Sequence, residues 1–324
     1  MRNRLLFAPL AAAFACSLFT ASAHAQRART FVASYGSDSN PCTFGSPCKT
    51  FQQAVNVVAV GGEVTAIDSA GFGPINITQA VTITSPDGVE AGIVPSPGGN
   101  AITINTTGDV FLRGLTIEGN NSGVDGINES GGGTLGIVHC VIRHFTHDGI
   151  YLQPTGILKL SILATIASNN GLNGIDLSPS GGTAGMVGVI DHATASSNGA
   201  MGISLWGANS SAKLPNLFSI TIVNSDASTN GKNGVEVFHT TGTIPIIAMV
   251  RDCIASTNGN DGFLFDSADV SSELVVGHSV AVANGNFGME NVVQTDEFWT
   301  FNDNSLVSNL NGSTSGLIRS WSFQ

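Results

Sequence analysis

The sequence predicts an all-β solenoid, a right-handed single-stranded parallel β-helix of about ten coils with a short N-terminal capping helix. Three observations predict it: a motif that returns at nearly constant spacing, short β-branched runs in place of helical periodicity, and a composition with 40 glycines and only 11% charged residues. The motif is Ala-x-x-Asn-Gly-x-x-Gly-apolar. It stands at "IASNNGLNGI" (166–175), "TASSNGAMGI" (194–203), "DASTNGKNGV" (226–235), "IASTNGNDGF" (254–263) and "VAVANGNFGM" (280–289), and the copies begin 28, 32, 28 and 26 residues apart. One structural unit is therefore used repeatedly.

From the N-terminus, Arg2 and Arg4 precede an apolar run over residues 5–19, and "ASAHAQ" follows with the small residues Ala23 and Ala25. Residues 1–25 are expected to be a secretory signal peptide cleaved after Ala25, which makes the mature protein secreted or periplasmic. The run is short for a bilayer and no second one follows, so no transmembrane segment is expected after signal removal. Loss of Arg2 and Arg4 moves the net charge from −11 to −13, ten basic side chains against 23 acidic ones. Nucleic acid and anionic membrane surfaces are poor partners for such a chain.

Residues 26–62 read as an N-terminal segment and cap. Cys42 and Cys48 sit in the Pro/Gly loop "NPCTFGSPCK" (40–49), and in an oxidising compartment they are expected to pair. The stretch "CKTFQQAVNVVAVGG" (48–62) has the apolar spacing of a short amphipathic helix that would cover the open end of the solenoid.

Residues 63–324 read as the β-helix itself. "AVTITS" (80–85), "GDVFLRGLTIEGN" (108–120), "GIDLS" (174–178), "MVGVID" (186–191), "LFSITIVNSD" (217–226) and "AMVRDC" (248–253) supply its strands, and "FWTFNDNSLVSNLNG" (298–312) its last coil. Each coil would lie about 4.8 Å from the one before. The Asn-Gly pair and the following Gly are expected to mark a corner where the backbone visits positive φ, with Asn side chains bonded from coil to coil. Cys140 and Cys253 fall at one repeat position four units apart, roughly 19 Å at strand spacing, and are expected to be buried free thiols.

The segments "SDSNPCTFGSPCKTFQQAV" and "LRGLTI", together with the N-G-x-x-G-I units, resemble exported bacterial right-handed β-helix repeat proteins of the pectate-lyase-like superfamily, members without a settled activity. The resemblance covers nearly all of the mature chain. It implies the fold, and it implies a cleft on the sheet that follows the Gly-apolar corner. "VIDH" (189–192) is similar to the W-I-D-H stretch of pectate lyases without its Trp. The R-x-P-x-x-R motif, the polygalacturonase N-T-D, G-H-G and R-I-K signatures and the D-P-H-D of mannuronan epimerases are missing, so no established catalytic set transfers.

In Gly-apolar-x-apolar-x the two x positions point outward from one sheet. The first outward row reads Asn128, Tyr151, Asp176, Ser204, Glu236, Leu264, Glu290, and the second Ser130, Gln153, Ser178, Trp206, Phe238, Asp266, Val292. Tyr151, Asp176 and Glu236 are the candidate proton-transfer residues, and Trp206, Phe238, Ser204 and Gln153 the candidate substrate-binding ones. Aromatic faces suit sugar rings, and carboxyls bond hydroxyls or move protons. Asp176 and Glu236, two coils apart, are roughly 9–10 Å distant along the backbone, near the 6.5–9.5 Å of inverting glycosidases. Outward acids that merely solubilise a β face are the alternative. The segments 206–218 and 238–247 follow the same sheet and are expected to wall a groove.

A second cluster, "HCVIRHFTHDGIY" (139–151), holds His139, Arg143, His144 and His147, but alternation scatters these side chains, and His139 shares a row with His192, Asn224, Asp252 and His278 that reads as a second polar corner. Asp125 and Asp148 stack on Asn173. Calcium is the one cofactor this row suggests, without a clear site, and a hydrogen-bonded ladder is the alternative. Two functions follow: a secreted β-helix that binds a polysaccharide, with or without cleaving or modifying it as a lyase or glycoside hydrolase, or a non-catalytic cell-surface or extracellular scaffold or adhesion module.

Overall fold

The computed structural model describes residues 27–207, 218–240, 243–268, 271–293 and 297–321. The expected signal peptide and its cleavage point lie outside these residues, as do parts of the segments expected to wall the groove. No helix among the described residues is long and apolar enough to cross a membrane.

Three parallel sheets wind around one interior. A long sheet has twelve strands, from Arg27–Val32 to Arg319–Ser320, and a second, the ladder sheet, has ten, from Ile75–Ile77 to Gly312–Ser315. A short sheet has five, from Ala70–Gly71 to Ile166–Ser168. It is extended by single bridges through Thr194, Asp226 and Ile254 to Val280. The ladder-sheet strands mark about nine turns. Alternation decides what goes inside: Ile127, Ile150, Ile175, Ile203 and Val235 pair in register as one inward file, each at most 1% exposed. At about 0.8 kcal/mol per buried methylene, such files are the main source of stability.

The repeat's Asn turns inward. Asn230 Oδ1 accepts from Asn198 N at 3.0 Å and from Asn198 Nδ2 at 3.2 Å, while Asn230 Nδ2 donates to Ala195 O and to Asn258 Oδ1, both at 3.1 Å. Asn170, Asn198, Asn258 and Asn284 repeat the pattern of bonding to the next Asn. Positive φ, however, falls one residue earlier than the sequence suggests, at Asn169 (57°), Ser197 (59°), Thr229 (59°), Thr257 (55°) and Ala283 (56°). The glycine after each Asn is required by close approach instead. A Cβ on Gly199, Gly231, Gly259 or Gly285 would stand 2.1–2.2 Å from the carbonyl oxygen of the stacked glycine one coil back. His139, His192, Asn224, Asp252 and His278 form the other left-handed corner, with φ between 46° and 54°.

At the N-terminal end the helix spans only Phe51–Val57, because the valine-rich sequence after it continues as strand Val58–Ala66. That strand pairs with Arg27–Val32 inside the long sheet, so the solenoid starts ahead of residue 63. Thr50 caps the helix, its hydroxyl accepting from Gln53 N, and Phe51, Ala54 and Val55 face the core. Cys42 and Cys48 are disulfide-bonded, while Cys140 and Cys253 are buried and free.

Candidate functional site

The outward face of the ladder sheet carries the candidate residues. Register places Asn128, Tyr151, Asp176, Ser204, Glu236, Leu264 and Glu290 in one file. Trp206, Phe238 and Asp266 are paired in the next. Gln153 and Ser178 continue that second file past the strand ends, their N–H groups donating to Glu129 O and Leu152 O. All seven candidates therefore share one face. The file is deeper than outward parity alone suggests, with Ser204 1% and Glu236 8% exposed.

Each carboxyl here has a distinct environment. Asp176 Oδ1 accepts from Ser178 Oγ at 2.7 Å and Oδ2 from Asn173 Nδ2 at 3.3 Å. Burial outweighs these bonds and pushes its pKa up to about 6. Glu236 is raised as well, chiefly by burial, and its Oε2 accepts from Asn233 Nδ2 at 2.7 Å. Burial, then the neighbouring charge of Asp176, pushes the Tyr151 phenol up to about 12. Ser204, between Asp176 and Glu236 in register, has a buried Oγ with no hydrogen-bond partner.

Trp206 and Phe238 stack on each other, ring centroids 4.0 Å apart and planes 18° from parallel. Each ring thus has one face against its neighbour.

The row just before the sheet is a hydrogen-bonded ladder. Asp125 Oδ1 accepts from Asp148 N (3.3 Å), Asp148 Oδ1 from Asn173 N (2.8 Å), and Asn173 Oδ1 from Met201 N (3.1 Å). Asn233 and Asp261 do the same two and three coils on. Burial and then the charges of Asp176 and Asp125 push Asp148 up to about 8. With these oxygens committed to backbone N–H groups, the row suits coil stacking better than calcium, and no group of three or more His, Cys, Asp or Glu among the described residues is arranged to hold a metal ion.

The remaining candidates of the 139–151 cluster point elsewhere. Arg143 Nε and His144 Nδ1 bond the two oxygens of Glu118 at 2.9 and 2.8 Å beside the short sheet, away from Tyr151. "VIDH" ends at an exposed corner where His192 Nδ1 lies 2.6 Å from Asp191. Two features escaped the outward rows. Glu129 faces inward, which its parity after Ile127 signals, and burial, then the neighbouring charge of Glu290, raises the Asp261 carboxyl, an environment with no local sequence signal.

The family model for the right handed beta helix region matches residues 76–218. Among solved structures, a pectate lyase, Pel9A, is similar over 88% of this chain and 78% of its own, with 16% identity and a TM-score of 0.63. An alginate lyase from Paenibacillus sp. str. FPU-7 is similar over 90% of this chain and 99% of its own, with 13% identity and a TM-score of 0.59. No curated protein sequence matches. At such identities the likeness is one of fold, and with three parallel sheets wound about one interior the chain is a right-handed parallel β-helix, the fold it shares with that pectate lyase and that alginate lyase.

Proposed function

We propose that this exported protein binds a polysaccharide along the outer face of the ladder sheet, with Asp176 and Glu236 as the proton-transfer pair and Tyr151 beside them. The supporting observation is the single register file Tyr151–Asp176–Ser204–Glu236 beside the stacked Trp206–Phe238 pair. Acids and aromatics gathered on one face are what a groove for sugar rings needs, and a coil-stacking scaffold has no use for them. With its pKa pushed to about 6, Asp176 can accept or give a proton near neutral pH. The two lyases of similar fold act on polysaccharides by name. Gln153 and Ser204 supply hydrogen bonds to hydroxyls on the same face.

The scaffold reading rests on a different observation, the Asp125–Asp148–Asn173 ladder, whose acids serve the coil stack. The two readings separate in one assay. A glycan panel is screened for binding, cleavage and unsaturated products, with and without calcium, using wild type and Asp176→Ala, Glu236→Ala and Trp206→Ala. Groove binding predicts at least a tenfold loss of affinity for Trp206→Ala, and catalysis predicts loss of product for the two acid variants. Retention of wild-type binding by all three variants supports the scaffold.

A further inference from the structure

The ladder face is short of cations. Asp148, Asp176, Glu236, Asp261, Asp266 and Glu290 lie on it or on the row just before it. Lys232 is a cation beside Glu236 and helps to hold it ionised. Burial and mutual repulsion disfavour charge on these carboxyls: Asp148 is opposed by Asp176 and Asp125, Glu236 by Asp266, and Asp266 by Glu290. A polyuronate would add negative charge to this face. A cation would relieve it.

An acidic row alone is no site. The second observation is Ser204, whose Cα partners in the ladder are Asp176 on one side and Glu236 on the other. The residue is 1% exposed and its Oγ is unpartnered. A buried hydroxyl without a partner is unfavourable, and between two carboxyls it is placed to accept from an ammonium while the carboxylates balance the charge. Trp206, half-buried one residue file away, adds an aromatic ring on the same face.

Building on the glycan-binding reading, we infer that the ligand is an amino-sugar polysaccharide, its ammonium seated at Ser204 between Asp176 and Glu236, and that the face excludes polyuronates.

The test is calorimetric titration of the full mature chain with three probes: a β-1,4-glucosamine hexamer, its fully N-acetylated counterpart, and hexagalacturonate. It is run near pH 6, where an amine is protonated. The glucosamine hexamer should bind at least tenfold more tightly than the acetylated hexamer, with an affinity that falls as salt rises, and hexagalacturonate should not bind. Ser204→Ala and the double variant Asp176→Asn/Glu236→Gln should each remove most of that preference, the affinity for the glucosamine hexamer falling toward that for the acetylated one. Asp87→Asn and Asp109→Asn, at exposed sites elsewhere, should change nothing. Equal binding of the two hexamers, or tighter binding of the uronate, overturns the amino-sugar inference and leaves glycan binding standing. Equal losses from the Asp87 and Asp109 variants would mean diffuse adsorption and overturn it as well. Absence of binding to all three probes, with Trp206→Ala also inert across the wider panel, overturns both.

Discussion

Glu129 occupies an inward file in which Ile104, Leu152, Leu177 and Leu205 are its apolar companions. Its Oε1 accepts from Gly132 N at 2.7 Å, its Oε2 has no partner, and burial pushes its pKa up to about 7. The folded state then holds a proton that the unfolded chain releases at about 4.5, so the protein loses stability as pH climbs from about 4.5 to about 7 and no further beyond. The total from this one group is roughly 3 kcal/mol. Glu129→Gln keeps the shape and removes the proton, so its denaturation midpoint should be flatter between pH 4.5 and 7, and the variant should gain on wild type at pH 8. An unchanged slope would mean the carboxyl is solvated. The parity of this residue is legible in the sequence; the strength of its burial is not, because that depends on the coils of Ile104 and Leu152 stacked on either side of it.

The repeat element ties each coil to its neighbours through one Asn and two glycines. Asn230→Ala removes the acceptor of Asn198 N and the donor to Ala195 O, so it should cost roughly 2–4 kcal/mol by urea denaturation. Gly231→Ala should be worse than Gly71→Ala: the first Cβ would stand 2.2 Å from Gly199 O, and the second meets nothing within 4 Å. Variants of equal stability would show that the stack opens to admit a methyl group. The motif made the corner, the Asn ladder and the outward rows readable, because all three follow from period and parity. The placement of positive φ was not readable. Either Asn or the residue before it can take the left-handed turn, and the choice goes to Ser197 or Thr229 because the Asn gains more by facing inward, where its donors and its acceptor all meet partners. The mutual stacking of Trp206 and Phe238 escaped for a related reason: adjacency in a file is visible in sequence, but the faces that rings choose are set by side-chain rotamers.

At the scale of the whole molecule the N-terminal end is closed by Phe51–Val57, the Thr50 cap and the Cys42–Cys48 bridge. In a solenoid each coil contacts only its neighbours, so weakening the cap should loosen the end without melting the middle. Reduction of the bridge in a Thr50→Ala background removes roughly 3 kcal/mol in total. Hydrogen–deuterium exchange should then quicken over residues 27–77 and stay slow in the ladder-sheet strands from Ile175–Leu177 to Phe263–Ser267; uniform acceleration would instead mean a single cooperative unit. The same independence of coils bears on the unequal repeat lengths. The 32-residue unit that begins at Thr194 owes its extra length to the stretch between strands Ile203–Trp206 and Phe218–Val223, whereas the Asn and glycine positions keep their register. Since every Asn hands its oxygen to the circuit before it and takes one from the circuit after it, a tandem duplication of one such circuit would arrive with both of its docking surfaces already made, and a gene for this protein can lengthen by copying without inventing a new core.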